Sequence, residues 1–163
     1  YVIVSGYVAI LFGRARGTED IDLFIDYMDR DTFRSFAGEL LARGFYFLNS
    51  DDVGEIYSML RDGLAVRIAE EERIIPNVEM KFKKDDFDRY AMTMARAVMF
   101  DDIRFFISPI ELQIPYKLYL GSDKDIEDAV YLWVLFCEML DGDLMRSFME
   151  RLHVRGEPYG IGV

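Results

Sequence analysis

Two aspartates one residue apart, Asp20 and Asp22, head the segment Asp-Ile-Asp-Leu-Phe-Ile of residues 20–25. Ile21, Leu23 and Ile25 alternate with the period of a strand, so the two carboxylates project together from the opposite face. There they stand only about 6–7 Å apart along the strand. Carboxylates that close repel each other unless a cation sits between them. Mg²⁺ (or Mn²⁺) is the natural partner, because it takes oxygen ligands and keeps positions for water and substrate phosphates. The bare Asp-x-Asp pattern carries little, since it recurs at 29/31, 86/88, 123/125 and 141/143. Context separates the first copy. It alone opens an alternating apolar strand, and it alone follows a Ser-Gly turn and a pair of arginines. The copies at 29/31 and 141/143 fall where helices would begin, where capping and the helix dipole explain an acid.

Three neighbours join this candidate centre. Ser5-Gly6 follows an apolar run and precedes a helical stretch. Glycine lets a backbone come close to a ligand, and free N–H groups at a helix start suit phosphate. The pair also reads as an ordinary strand-to-helix turn. Glu79 lies in Val-Glu-Met-Lys-Phe, where Val78, Met80 and Phe82 form one face and Glu79 and Lys81 the other. Glu79 would supply a third carboxylate only if its strand lay beside residues 20–25; otherwise Glu79 and Lys81 are a solvated pair.

The surrounding elements must hold these groups. Residues 1–4 read as a buried strand and 6–13 as a short helix or turn. Residues 31–43 carry Phe33, Phe36, Leu40 and Leu41 at helical spacing, with Gly44 as the stop. Residues 45–48 read as a strand, and 53–60 suit a helix or a strand. Residues 64–69 and 77–82 read as a strand hairpin around Glu70, Glu71 and Glu72, and 97–100 with 103–107 as a second pair around Asp101 and Asp102. From Ser108 the pattern turns helical, with Ser108-Pro109 and Glu111 as a start signal. Helices are expected over residues 109–120, 123–140 and 143–152. The fold class is therefore α+β, a mixed sheet with flanking helices followed by a C-terminal helical bundle. The expected organisation is a sheet domain over residues 1–107, a helical subdomain over 108–155 and an irregular tail over 156–163.

Composition narrows the chemistry. The 163 residues are 52% hydrophobic with 15% aromatics, which excludes intrinsic disorder. One cysteine excludes an internal disulfide, and one histidine excludes zinc held by paired histidines. A net charge of −11 argues against a surface built to wrap nucleic acid. No apolar run is long enough to cross a bilayer, and no secretory signal is present, so a cytoplasmic protein without membrane contact is expected. The chain opens directly on a strand without methionine, which suggests that a segment precedes it. Cys137 and the methionines at 92, 94 and 99 are expected in the core, the methionines alternatively on a homodimer face. Asp123 is expected to cap its helix.

The order of these features resembles the polymerase-β-like nucleotidyltransferase superfamily. The residues that carry the resemblance are Ser5-Gly6 after a strand, a short apolar helix, Gly13-Arg14-Ala15-Arg16, Thr18-Glu19-Asp20-Ile21-Asp22-Leu23 and a later strand acid. Ser108-Pro109-Ile110-Glu111 leading to Lys117, then Lys124-Asp125-Ile126-Glu127-Asp128, is similar to the abortive-infection toxin type and to prokaryotic minimal nucleotidyltransferases. The turn here is Ser-Gly where the family usually has Gly-Gly or Gly-Ser, and Glu79 stands where it usually has Asp. The resemblance implies that Asp20, Asp22 and Glu79 hold two Mg²⁺ ions, with Glu79 also orienting or deprotonating the attacking hydroxyl. It implies that Ser5, Gly6 and Thr18 contact the nucleotide, that Arg16 and Lys117 neutralise its triphosphate, and that Asp125 and Asp128 handle nucleotide or acceptor. The implied reaction moves an NMP from an NTP to an acceptor hydroxyl on a small molecule, a tRNA or a protein, and a toxin or antitoxin partner is possible. Beside this stands a non-catalytic nucleotide- or protein-binding module on the same fold. Lys117 equally suits a helix edge, and Asp125 and Asp128 the first turns of a helix.

Overall fold

The computed structural model describes residues 1–163. Its framework is a seven-stranded mixed sheet in the order β3-β4-β5-β2-β1-β7-β6. The strands are β1 (Val2–Ile3), β2 (Asp20–Ile25), β3 (Phe45–Phe47), β4 (Val66–Glu70), β5 (Asn77–Phe82), β6 (Arg96–Phe100) and β7 (Ile103–Ile107). The helices are α1 (Gly6–Leu11), α2 (Arg30–Ala42), α3 (Val53–Arg61), α4 (Asp86–Thr93), α5 (Ile110–Leu120), α6 (Asp123–Phe136) and α7 (Gly142–Leu152). The α+β architecture expected from the sequence is the one observed.

Period-2 alternation sets both faces. On one face Ile21, Leu23 and Ile25 of β2 share a layer with Ile3, Met80, Phe82, Val66 and Ile68, and α1, α2, α3 and α6 cover it. On the other face Val2 and Phe24 meet α4, α5 and α7 through Ala91, Leu112 and Phe148. The central strands β2 and β5 are parallel, and β1 runs antiparallel to β2. The C-terminal end of β1 therefore meets the first half of β2, with Val4 donating to the Asp22 carbonyl at 3.0 Å. β7 lies parallel to β1, and Ser108 donates to the Ile3 carbonyl at 3.0 Å. The segment that leaves β7 thus starts beside the turn that leaves β1.

α5 is buried nearly all round, including its polar residues Glu111, Gln113 and Lys117. Its residues Ile110, Ile114 and Leu118 join Ile3, Val8 and Ile107 of the first 107 residues in one core with Leu132 and Met145. Segments 1–107 and 108–155 accordingly share a hydrophobic interior.

Residues 53–61, where the sequence leaves helix and strand both open, are a helix, started by Asp52, which accepts from Gly54 and Glu55. Several local readings need correction. α4 was not legible as a helix from apolar periodicity; a reciprocal capping box between Asp85 and Asp88 starts it. Ser108 does not cap α5; Pro109 stands at the cap position without a side-chain bond, and Ser108 is buried. Ser122, not Asp123, caps α6, which stops at Phe136. Cys137 just beyond it is exposed rather than in the core. Met94 and Met99 are exposed as well. The last residues are irregular apart from a 3-10 turn at Glu157–Tyr159, yet they are packed: Ile161 is 1% exposed and joins the main core.

Candidate functional site

Asp22 and Glu79 are direct neighbours. β2 and β5 pair with Asp20 opposite Asn77, Asp22 opposite Glu79 and Phe24 opposite Lys81. Residues opposite each other share a face, and adjacent strands lie about 4.8 Å apart. This satisfies the condition on which Glu79 depended as a third carboxylate. The two acids line a cleft of about 200 Å³ between the sheet, α4 and α5. Ser5 and Ser108 enter from the ends of β1 and β7, Lys117 and Gln113 from α5, and Phe87 and Asp88 from α4.

The electrostatics differ from acid to acid. Burial pushes the Asp22 carboxyl above its ordinary pKa; the nearby Ser5 hydroxyl pulls it back, and the negative charges of Asp20 and Glu79 push it further. Neither Asp20 nor Asp22 forms an ion pair. Asp20 takes a hydroxyl contact from Thr18 at 3.3 Å. Glu79 is neutralised by Lys81 at 2.9 Å and Arg67 at 3.2 Å. Burial raises its pKa, but the two cations outweigh burial and hold it below the ordinary value.

The donor set fits a hard cation in part. No three acids converge tightly enough to form a protein-only metal cage. Mg²⁺ does not require one: it is commonly held by one or two carboxylates together with substrate phosphates. Asp20 and Asp22 offer only oxygen and form no ion pair, with Lys81 a weaker positive influence on Asp22, so they suit it. Glu79 joins them only by giving up Lys81 and Arg67.

A second cluster lies behind the cleft. Lys117 is 1% exposed and donates to Asp128 at 2.6 Å, with Asp125 at 3.6 Å. Asp128 is fully buried and also holds Arg16 at 2.7 Å and Arg14. Arg14 reaches Glu127 and donates to the Lys124 carbonyl at 3.2 Å. Burial pushes Lys117 down to about 8; Asp125 pulls it up, while Arg16 and Arg14 push it down. Lys117 is therefore not a helix-edge lysine, and Asp128 is not a solvated acid of a first turn. Asp125 is tied to the cap residue Ser122.

The turn residues have physical reasons of their own. Ser5 sits at φ 61, ψ −141, a conformation usually left to glycine, which costs on the order of 1–3 kcal/mol and is most often kept at functional sites. At Gly6 a Cβ would come within 2.6 Å of Arg16 Nη2. The glycine thus makes room for Arg16 rather than for open solvent. α1 is only six residues long, so the turn and not a long helix dipole supplies whatever pull on phosphate exists here.

Of the residues expected from the sequence, Ser5, Asp22, Glu79 and Lys117 meet in the cleft. Asp20 precedes Asp22 by two residues on the same face of β2 and takes a contact from Thr18, Gly6 adjoins the cleft through Ser5, and Arg16, Asp125 and Asp128 are joined to it through Lys117. Arg14, named in the sequence beside Arg16 but given no role there, is a partner of Asp128. Sequence reading passed over Asp88, whose carboxyl burial pushes up. The Asp85-to-Asp88 cap spacing was the available signal for α4 and so for Asp88.

The sequence matches no family profile and no curated protein. The structure is similar to the crystal structure of an antigenic nucleotidyltransferase-like protein from Paracoccidioides brasiliensis, with a TM-score of 0.53 at 17% identity, over 93% of this chain and 78% of that one. The chain therefore has a nucleotidyltransferase-like fold.

Proposed function

We propose that this protein is a metal-dependent nucleotidyltransferase that transfers an NMP from an NTP to an acceptor hydroxyl. The observation that carries the reading is the Asp22–Glu79 register pair, with Asp20 two residues before it, facing a cleft that also holds a buried lysine. Asp20 and Asp22 would hold Mg²⁺ or Mn²⁺, which when bound supplies Lewis-acid stabilisation of the phosphate oxygens. Ser5 would hold a phosphate at the turn, and Lys117 would meet its negative charge from the α5 side. Glu79 would orient the attacking hydroxyl and take its proton as the new O–P bond forms and the bond to pyrophosphate breaks. The rest of the catalysis is positioning. Within the superfamily, the Lys117 and Lys124-to-Asp128 pattern favours the abortive-infection toxin type.

A second reading is a nucleotide- or protein-binding module without catalysis. Glu79 favours it, because Lys81 and Arg67 already neutralise the carboxylate that transfer would need. One experiment separates the two. Each α-labelled NTP is offered with Mg²⁺ or Mn²⁺ and with three acceptor pools: the protein itself, bulk tRNA and small hydroxylated metabolites. Label transfer by the wild type, absent from Asp20→Ala/Asp22→Ala, supports the enzyme and identifies its acceptor class. Metal-dependent NTP binding without transfer to any pool supports the binding module. Neither binding nor transfer overturns the enzyme and leaves the protein-binding form of the second reading.

A further inference from the structure

The two edges of the sheet are built differently. β3 is three residues long, and its Tyr46 hydroxyl is tied to the Arg73 carbonyl at 2.9 Å. β6 is five residues long, pairs in unbroken register with β7 and has its other side free. Its sequence, Arg-Ala-Val-Met-Phe, carries one charge, Arg96 at its first residue, and has no proline, no lysine and no bulge. Both faces of the hairpin also carry exposed apolar side chains, with Arg96 on one face and Arg104 on the other. Phe100 and Ile103 oppose each other on one face, 60% and 58% exposed. Met99 and Phe106 lie on the other, 56% and 36% exposed, with Tyr1 stacked edge-on against Phe106. An open edge with these features is a template for another strand.

We infer that the occupant is a second copy of this chain, paired antiparallel β6 to β6 about a two-fold axis at Val98. That register uses all five residues and is self-complementary. Arg96 of each copy falls opposite Phe100 of the other, beside the Asp101-Asp102 turn, where a guanidinium can lie over the ring and meet the carboxylates. Ala97 falls opposite Met99, small against large. The two sheets become one of fourteen strands, and no edge strand longer than three residues stays open. The charge pattern selects this occupant: the protein carries −11 overall, yet an arginine stands at one end of the free edge and two aspartates at the other. This inference does not depend on the proposed activity.

Sedimentation of the 163-residue chain across a concentration series tests it. The wild type should reach twice the 19.0 kDa chain mass. So small an interface implies a dissociation constant on the order of 10 µM. Met99→Lys should be monomeric and lose little thermal stability, because Met99 is exposed in the single chain and only Arg104 faces it across the hairpin. Arg96→Asp and Asp102→Arg should each weaken the dimer at least about tenfold, and the double variant should recover it. Amide exchange over residues 96–100 should slow with concentration while residues 45–47 do not change. A wild type still monomeric at roughly thirty times the expected constant overturns the inference. So does a dimer that survives Met99→Lys. A double variant no tighter than the singles overturns the register.

Discussion

The cleft acids and the cluster behind them contain similar groups in opposite states. Asp22 is partly buried and has no ion-pair partner, and its neighbours Asp20 and Glu79 make its charge less welcome. Asp128 is fully buried, and Lys117, Arg16 and Arg14 surround it. One carboxylate is under electrostatic tension that a cation or ligand would relieve. The other has been relieved by the fold itself. The difference separates two roles that sequence motifs merge. Asp128 ties α6, α5 and the loop before β2 into one body, whereas Asp20 and Asp22 keep capacity for something the chain does not supply. Lys117 is where the regions touch, because it lines the cleft while its charge is held from behind.

The largest effect should come from breaking the satisfied cluster. Asp128→Ala leaves three cations without their shared partner, and removing one side of a buried ion pair costs about 3–5 kcal/mol. In a chain of this size that is a fall of roughly 10 °C in Tm, read by calorimetry. Lys117→Met added to Asp128→Ala should recover part of the loss, since no buried lysine is then left unpaired. A Tm within a degree of wild type for Asp128→Ala would show that the cluster is not what joins the loop to α6.

Asp22→Asn should behave oppositely. Burial and two like charges raise the Asp22 pKa, so at neutral pH its ionised form costs folding stability, and the uncharged amide relieves that cost. The variant should unfold at a higher temperature than wild type and, if the proposed transfer is the activity, lose at least about a hundredfold in it, because a cation held there would be worth several kcal/mol in the transition state. A gain in stability with loss of function would mark the carboxylate as functional. A loss of stability would place it with Asp128.

The pH profile gives a finer contrast. Lys117 is pushed down to about 8 from an ordinary 10.5, with Asp125, Asp128, Arg14 and Arg16 facing it. Between those values the unfolded chain binds more protons than the folded one, so stability contributed by this group is lowest below about 8 and rises as pH approaches 10.5. The slope cannot exceed about 1.4 kcal/mol per pH unit for one proton. Urea unfolding at a series of pH values reads it, and Lys117→Met should remove that contribution.

The strand acids were legible because period 2 is rigid: once Ile21, Leu23 and Ile25 point one way, Asp20 and Asp22 must point the other. Their pairing with Glu79 was not legible, because a strand pattern does not tell which strand lies beside it. The hairpins around residues 71–76 and 101–102 were legible from apolar runs flanking acids. α4 was missed because eight residues, Asp-Phe-Asp-Arg-Tyr-Ala-Met-Thr, hold too few apolar turns to display a period, and with it went Phe87, Asp88 and Ala91 in the cleft wall. Lys117 was placed on its helix, but not in the interior. A lysine among apolar residues reads equally as an edge, and only the partner supplied from eleven residues further on decides. Cys137 misled for a similar reason: the apolar run around it continues past the point where α6 ends.

Glu79 belongs to both regions, and the smallest prediction concerns it. It sits in register with Asp22, yet it is satisfied in the manner of Asp128, by Lys81 and Arg67. Arg67 is half exposed, so Arg67→Met should change stability by less than about 1 kcal/mol. Its consequence should instead be electrostatic. With one of the two cations gone, the Glu79 pKa should move up toward its ordinary value, and more negative charge should face the cleft. If Glu79 completes a cation site with Asp20 and Asp22, Arg67→Met should bind Mn²⁺ more tightly than wild type, and Glu79→Gln should cancel the gain. Equilibrium Mn²⁺ titration of the two single variants and the double measures both. Unchanged Mn²⁺ affinity in Arg67→Met would leave Glu79 as a strand-face ion pair beside a two-carboxylate site, and the base for any transferred nucleotide would then have to come from elsewhere in the cleft, where Asp88 is the buried carboxyl whose pKa already lies above its ordinary value.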